Sequence, residues 1–285
     1  MLNNLCKLCR LNKPIGIFLL IWPVIWGLLV VNYQNTHALY IFIFLMGTVV
    51  MRSAGCVIND IADKSFDAKV DRTKDRILAK EALSTKTALL FLFCLLIIAL
   101  LLLLFLPIAC VSDAIIAVIL SMIYPLCKRF FVAPQLILGI AFSVALPMIY
   151  HAYDRSFDVI LYQLICINIV WVIAYDTFYA MTDKNDDLKI GIFSTAILFG
   201  RFDGIIAILL LLSVQTAWVI LFFQAMSLLG LIGILFSFIV IYFQIRYVSF
   251  EQTPFKAFLM NGYLGGAWTM ILLGYLYPSF TLYHL

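Results

Sequence analysis

The chain alternates between long apolar runs and short polar links. A helix needs about 20 apolar residues to cross a bilayer, and runs of that order fall at 15–31, 38–58, 87–105, 109–126, 132–150, 159–180, 202–222, 225–245 and 258–276. They lack the two-residue alternation of half-buried strands, and 87–108 is apolar almost throughout. Lipid-facing backbone must close its hydrogen bonds within a helix or a closed barrel. The pattern therefore predicts an all-α polytopic membrane protein, with nine transmembrane helices forming one domain over 1–285. The weakest separation lies near Gln224, where one apolar tract must reverse in a very short link.

Composition narrows the class further. Apolar residues make up 65% of the chain and charged residues 12%, against about 45–50% and 25% in a soluble domain. A soluble α/β or all-β domain and a disordered chain are both excluded. Seven cysteines, mostly inside apolar runs, give no disulfide framework, and Cys6-x-x-Cys9 lacks the second pair of a metal site. The mixed segment 1–14 and the uninterrupted run after it read as a retained span, not a cleaved signal.

The formal charge of +4 is informative only by location. Of the 19 Lys and Arg, all but Arg52 and Arg155 precede span one or lie in the links after spans two, four, six and eight. The positive-inside rule makes that side, and the N-terminus with it, cytoplasmic. Nine spans then place Tyr283, His284 and Leu285 on the opposite side. Asymmetry of this kind signals orientation, so no nucleic-acid partner is expected. His37, His151 and His284 fall on the opposite side and form no ligand cluster with the carboxylates.

Two acidic groups stand at the cytoplasmic ends of spans two and six. The first runs Asn59-Asp60-Ile61-Ala62-Asp63-Lys64-Ser65-Phe66-Asp67; if span two continues as a helix, its three carboxylates share one face. The second spans Tyr175-Asp176 to Asp183, Asp186 and Asp187, again at helical spacing. Like charges held together need a compensating cation, and Mg²⁺ accepts carboxylate and phosphate oxygens. Each group could hold an ion while a diphosphate bridges them, with Asn59 as an added oxygen donor. Arg72, Arg76, Lys128, Arg129, Lys184 and Lys189 surround the same mouth and suit phosphate. Arg52 lies inside span two, ~12 Å before Asp60 at 1.5 Å per residue. It is read as a partner to the acids, as a holder of substrate carboxylate or diphosphate, or as a side chain snorkelling to the membrane surface. The faces of Tyr175, Phe178 or Tyr179 could stabilise an allylic cation, or simply pack. Two solvated mixed-charge loops, a transporter with isolated midplane acids and a membrane scaffold are the competing readings.

At these clusters the chain resembles the UbiA superfamily of intramembrane prenyltransferases, and within it the bacterial 4-hydroxybenzoate polyprenyltransferases. The resemblance rests on Asn59, Asp60, Asp63 and Asp67, on Arg72-Thr73-Lys74-Asp75-Arg76, and on Tyr175 to Met181 with Asp183, Asp186, Asp187 and Lys189. It extends to Lys13-Pro14-Ile15-Gly16, Leu20-Ile21-Trp22-Pro23, Met51 to Cys56, Tyr124-Pro125, Pro134-Gln135 and Phe255 to Phe258. Ile77 and Asn12 stand where the family commonly has Pro and Asp. The resemblance implies nine helices around a central cavity in a bacterial inner membrane. It also implies Mg²⁺-dependent transfer of a polyprenyl group from its diphosphate to the carbon ortho to the hydroxyl of 4-hydroxybenzoate, in ubiquinone synthesis. Asp60, Asp63 and Asp67 would serve one metal-diphosphate site and Asp183 and Asp187 the other, with Asp176 nearby and Asp183 or a neighbour as base. Tail length and oligomeric state are not fixed by the sequence.

Overall fold

The computed structural model describes residues 2–32, 37–223 and 227–277; the reversal at Gln224 and the end of the chain with Tyr283, His284 and Leu285 lie outside them. Among the described residues every regular element is helical. They are α1 (Leu2–Leu8), α2 (Ile15–Asn32), α3 (Ala38–Ala62), α4 (Lys64–Asp67), α5 (Thr85–Leu103), α6 (Cys110–Cys127), α7 (Pro134–Ser143) and α8 (Ala145–Ala152). After these come α9 (Val159–Ile190), α10 (Thr195–Leu198), a 3₁₀ turn at Gly200–Phe202, α11 (Asp203–Phe222), α12 (Leu228–Ser249) and α13 (Pro254–Leu276). Nine stretches are long and apolar enough to span a membrane, α7 and α8 together forming the fifth.

Three departures from the sequence pattern have local causes. The fifth span breaks at Val144 because Pro147 cannot donate to Ser143 and its ring crowds that carbonyl. The second span does not carry its acids on one continuous helix. It ends at Ala62, Asp63 leaves helical geometry at φ −95°, ψ 6°, and α4 restarts for a single turn with Asp67 N–H bonded to Asp63 O at 2.8 Å. The sixth runs past the apolar stretch to Ile190, where Gly191 stops it at φ 73°. Asp183, Asp186 and Asp187 therefore ride on a rigid helix. At its other end Asp158 caps α9, accepting from Leu161 N–H at 2.9 Å.

Lipid is as apolar as leucine, so packing and interhelical hydrogen bonds hold such a bundle. Four fully buried tryptophans, Trp26, Trp171, Trp218 and Trp268, join α2, α9, α11 and α13, with Trp26 and Trp218 centroids 4.9 Å apart. The indole N–H groups of Trp26, Trp171 and Trp268 donate to Thr269, Asn261 and Gln215 at 2.8–2.9 Å. Helices α12 and α13 approach backbone to backbone: a Cβ on Gly274 would collide with Gly230.

A second apolar cluster secures the N-terminal segment. Leu8 and Cys9 pack with Val50, Ala54 and Val57 of α3, Leu78 of the following link, and Ala88 and Leu95 of α5. The chain leaves α1 through a left-handed residue, Arg10, at φ 56°, which costs about 1 kcal/mol for a side chain other than glycine.

Candidate active site

The ends of α3, α6 and α9 converge at the head of a cavity of about 900 Å³. Its mouth is lined by Asp60, Arg72, Arg76, Lys128 and Tyr179, and it descends along α3 past Arg52 and Thr48 to Phe44. Leucines of α5 and valines of α6 make its apolar wall. Asp60 to Phe44 is ~24 Å of helix, most of a hydrocarbon core.

A smaller cavity of about 100 Å³ adjoins the mouth, and both acidic groups face it: Asp63 and Asp67 from one side, Asp176, Asp183 and Asp187 from the other. Tyr124, Lys128, Arg72, Arg76, Asp176 and Tyr179 line both cavities. Helical spacing thus brings the two groups together even though the first is bent at Asp63.

Cations hold most of these acids. Arg76 Nη1 bonds Asp67 Oδ2 at 2.6 Å and approaches Asp60 Oδ1 at 3.4 Å, and Arg10 Nη2 bonds the same Asp60 oxygen at 2.8 Å. Lys128 Nζ bonds Asp63 at 3.0 Å and Asn59 Oδ1 at 3.1 Å. Arg72 crosses to the second group, gripping both Asp183 oxygens, donating to Tyr179 Oη at 2.7 Å and lying 4.4 Å from that ring's centre. Burial pushes the Asp67 carboxyl above the usual carboxylate range, against the pull of Arg76. Burial also works against the Arg72 charge, but Asp183 and Tyr179 more than offset it and hold its guanidinium above its ordinary range.

With the cations in place, no three carboxylates among the described residues stand close enough to share one ion. The donor set itself suits a hard divalent cation: the buried carboxylates of Asp63 and Asp67 on one side of a small polar cavity and the half-buried ones of Asp176, Asp183 and Asp187 on the other, with the Asn59 amide oxygen in the adjoining large cavity. Asp176 and Asp187 form no ion pair among the described residues, and Gln135 hydrogen-bonds Asp176 while accepting from Thr195 N–H at 2.9 Å.

Not every expected residue joins the site. Lys184 turns away, bonding Gly200 O at 2.5 Å and Asp203 Oδ2 at 2.6 Å, so it fastens α9 to the start of α11. Lys189 is exposed and pairs with Asp186, one turn away, at 3.0 Å. Arg129 donates to Ala62 O at 2.7 Å, answering an orphan carbonyl at the end of α3. Phe178 is buried in the core and lines neither cavity. Tyr175 does line the large cavity, and its buried hydroxyl has no hydrogen-bond partner among the described residues. Arg52 forms no hydrogen bond or ion pair among the described residues and lies within electrostatic reach of Asp176, Tyr124 and Tyr175. Gly16 makes room for it, since a Cβ there would collide with the guanidinium. Sequence reasoning overlooked Arg10, Tyr124 and Gln135 as site residues. Arg10 had only its charge as a signal, while Tyr124 and Gln135 sat within quoted runs.

Relatives share this arrangement of helices. A UbiA homolog from Aeropyrum pernix K1 superposes with a TM-score of 0.78 at 17% identity, covering 90% of this chain and 96% of that one. A UbiA homolog from Archaeoglobus fulgidus bound to GPP and Mg²⁺ gives 0.66 at 15% identity, covering 99% and 100%; at such identity the likeness concerns the fold. In sequence, the 4-hydroxybenzoate octaprenyltransferase of Legionella pneumophila (strain Paris) is 46% identical over 266 residues, covering 92% of this chain and 94% of its own. The protein of that name from Nitrosospira multiformis is 43% identical, covering 91% and 90%. The family model matches residues 20–281, and the chain belongs to the UbiA prenyltransferase family.

Proposed function

We propose that this chain, as one integral-membrane domain, transfers a polyprenyl group from its diphosphate to the carbon ortho to the hydroxyl of 4-hydroxybenzoate, with Mg²⁺. The relatives named for that reaction support the substrates, and the Archaeoglobus fulgidus homolog with GPP and Mg²⁺ supports the metal. The basic mouth faces the cytoplasm of a bacterium and the body lies in its inner membrane. One observation carries the reading: two facing acidic groups with their cations head an apolar cavity that contains a guanidinium, Arg52, with no ion-pair partner among the described residues, below the mouth.

Asn59, Asp60, Asp63 and Asp67 would hold one Mg²⁺ and Asp183 and Asp187 another. Bound there, Mg²⁺ would supply positive charge that stabilises the departing diphosphate. Arg72, Arg76 and Lys128, released from the acids, neutralise the phosphate oxygens. The bond between the prenyl C1 and its oxygen breaks with the electron pair leaving on diphosphate, and Tyr179 offers a ring face to the electron-poor allyl carbon. Arg52 takes the benzoate carboxylate, and the free Tyr175 hydroxyl lies within the same cavity. The ring carbon then bonds C1, and Asp176, at the junction of the two cavities, accepts the displaced ring proton. The apolar wall takes the tail.

The test is direct. Purified protein given Mg²⁺, 4-hydroxybenzoate and polyprenyl diphosphates of several lengths forms ring-prenylated acid and diphosphate, detected by chromatography with mass analysis. No product at any tail length from a folded preparation overturns the reading.

A further inference from the structure

Asp176, the base of the proposed reaction, is held by an amide. Gln135, near the start of α7, lines the small cavity beside Asp176 and hydrogen-bonds it. What Gln135 can offer there is decided on its other side. Thr195 N–H, at the start of α10, donates to Gln135 Oε1 at 2.9 Å. A backbone N–H can only donate, so it claims the amide oxygen and leaves the nitrogen, a donor, for Asp176. An amide turned the other way would set oxygen against oxygen at Asp176 and nitrogen against nitrogen at Thr195.

Thr195 is fixed in turn. The hydroxyl of Thr177, one residue after Asp176, donates to Ile173 O at 2.6 Å, so the Thr195 hydroxyl donates to Thr177 Oγ1, also at 2.6 Å. Asp176, Gln135, Thr195 and Thr177 thus close a loop between α9, α7 and the link that follows α9. Gln135, Thr177 and Thr195 are all buried. Further along the same seam a Cβ on Gly139 of α7 would lie 3.1 Å from Ile169 Cα of α9, and Asn168 Nδ2 donates to Ser143 Oγ at 2.9 Å. The amide is therefore set in place before substrate arrives.

We propose that Gln135 is a positioning residue for loss of the ring proton: with its oxygen claimed by Thr195, its nitrogen turns and holds the Asp176 carboxylate as a proton acceptor. A donated hydrogen bond suits an ionised carboxylate, which only accepts, and it occupies part of the acceptor capacity while leaving the rest for substrate. Once the ring carbon has bonded the prenyl C1, the C–H bond at that carbon breaks, its electron pair restores the aromatic ring and the proton passes to Asp176. Nothing else is consumed. The inference rests on the proposed function, with Asp176 as its base.

Steady-state rates of the detergent-purified full chain test it, with Mg²⁺, a polyprenyl diphosphate and 4-hydroxybenzoate deuterated at both carbons ortho to the hydroxyl, alongside thermal melting. Gln135→Glu keeps an acceptor for Thr195 N–H but sets an oxygen against Asp176, whereas Gln135→Met removes both contacts. Each lowers kcat per folded molecule by ~10-fold or more, as expected of a weakened general base, with KM for the diphosphate unchanged. Each also shows a larger deuterium effect on kcat than the wild type, because proton loss has slowed. A merely structural Gln135 would lower melting while the surviving turnover kept the wild-type deuterium effect. Three results overturn the inference alone: wild-type kcat in Gln135→Glu, a wild-type deuterium effect in both variants, or a loss confined to KM for the diphosphate. Full activity of Asp176→Asn overturns the base and the inference with it. A folded wild-type protein that forms no prenylated acid overturns the proposed function and the inference together.

Discussion

The two acidic groups look equivalent in sequence and differ in structure. At the end of α3 the helix breaks, and Asp60, Asp63 and Asp67 are all buried and all paired, to Arg10, Arg76 and Lys128. On α9 the helix runs straight through, and of Asp176, Asp183 and Asp187 only Asp183 has an ion-pair partner among the described residues. One group is closed by internal cations; the other is mostly open. Buried carboxylates are tolerable only with compensation, so the first group has to be satisfied by the protein whenever ligands are absent. The second, on a projecting helix, can wait. The difference teaches that the same residue types can contribute mainly to stability on one side of a site and mainly to chemistry on the other.

The largest expected effect separates these roles. Asp60→Ala and Asp187→Ala should each lower prenyl transfer by ~100-fold or more if both hold metal. Only Asp60→Ala should also lower stability, by about 3 kcal/mol, because it removes the ion-pair partner of Arg10 while Arg76 keeps Asp67. Equal melting of the two variants would break the comparison. A medium effect concerns the strut between the groups. A double-mutant cycle on Arg72→Ala and Asp183→Ala, read by thermal melting, should give a coupling of about 1 kcal/mol, since the pair is partly exposed. Additive changes would mean that the strut carries nothing.

The smallest effect lies at the far end of α9. Asp158→Ala should cost about 1 kcal/mol of stability as a lost helix cap, with turnover per folded molecule unchanged. Burial pushes Asp158 up, but the Leu161 N–H, Arg155 and Tyr150 outweigh it and leave its carboxyl below the ordinary value. Its stabilising contribution is therefore full above the unfolded pKa of about 3.9 and fades as pH falls through the lower folded value. The wild type should lose that increment in acid and the variant should not, as melting across pH would record.

Much of this was legible from hydrophobic runs, because a membrane span is written in one dimension. All nine apolar stretches matched helical segments, and the spacing of Asp176, Asp183 and Asp187 told the truth about α9. What failed to show was anything decided between distant segments. At the break, Asp60 and Asp63 meet cations from before α2 and after α6, and nothing local to 59–67 announces those pairings. Lys184 and Arg129 carry the same charge as Lys128, and only the fold decides that one bonds Asp203, one caps α3 and one meets Asp63. Position in a basic loop indicates a side of the membrane, not a partner.

The length of α9 has a consequence for where the reaction's two products go. Its 32 residues form a rod of ~48 Å, well beyond the ~30 Å of a hydrocarbon core. Such a rod sets a fixed depth for the breaking bond, at the plane where oil gives way to water. Under the proposed reaction the diphosphate departs into the aqueous phase, while the enlarged aromatic acid stays dissolved in the bilayer with its tail. The two products then separate into different solvents, which draws the transfer forward and leaves the next enzyme to search for its substrate in two dimensions.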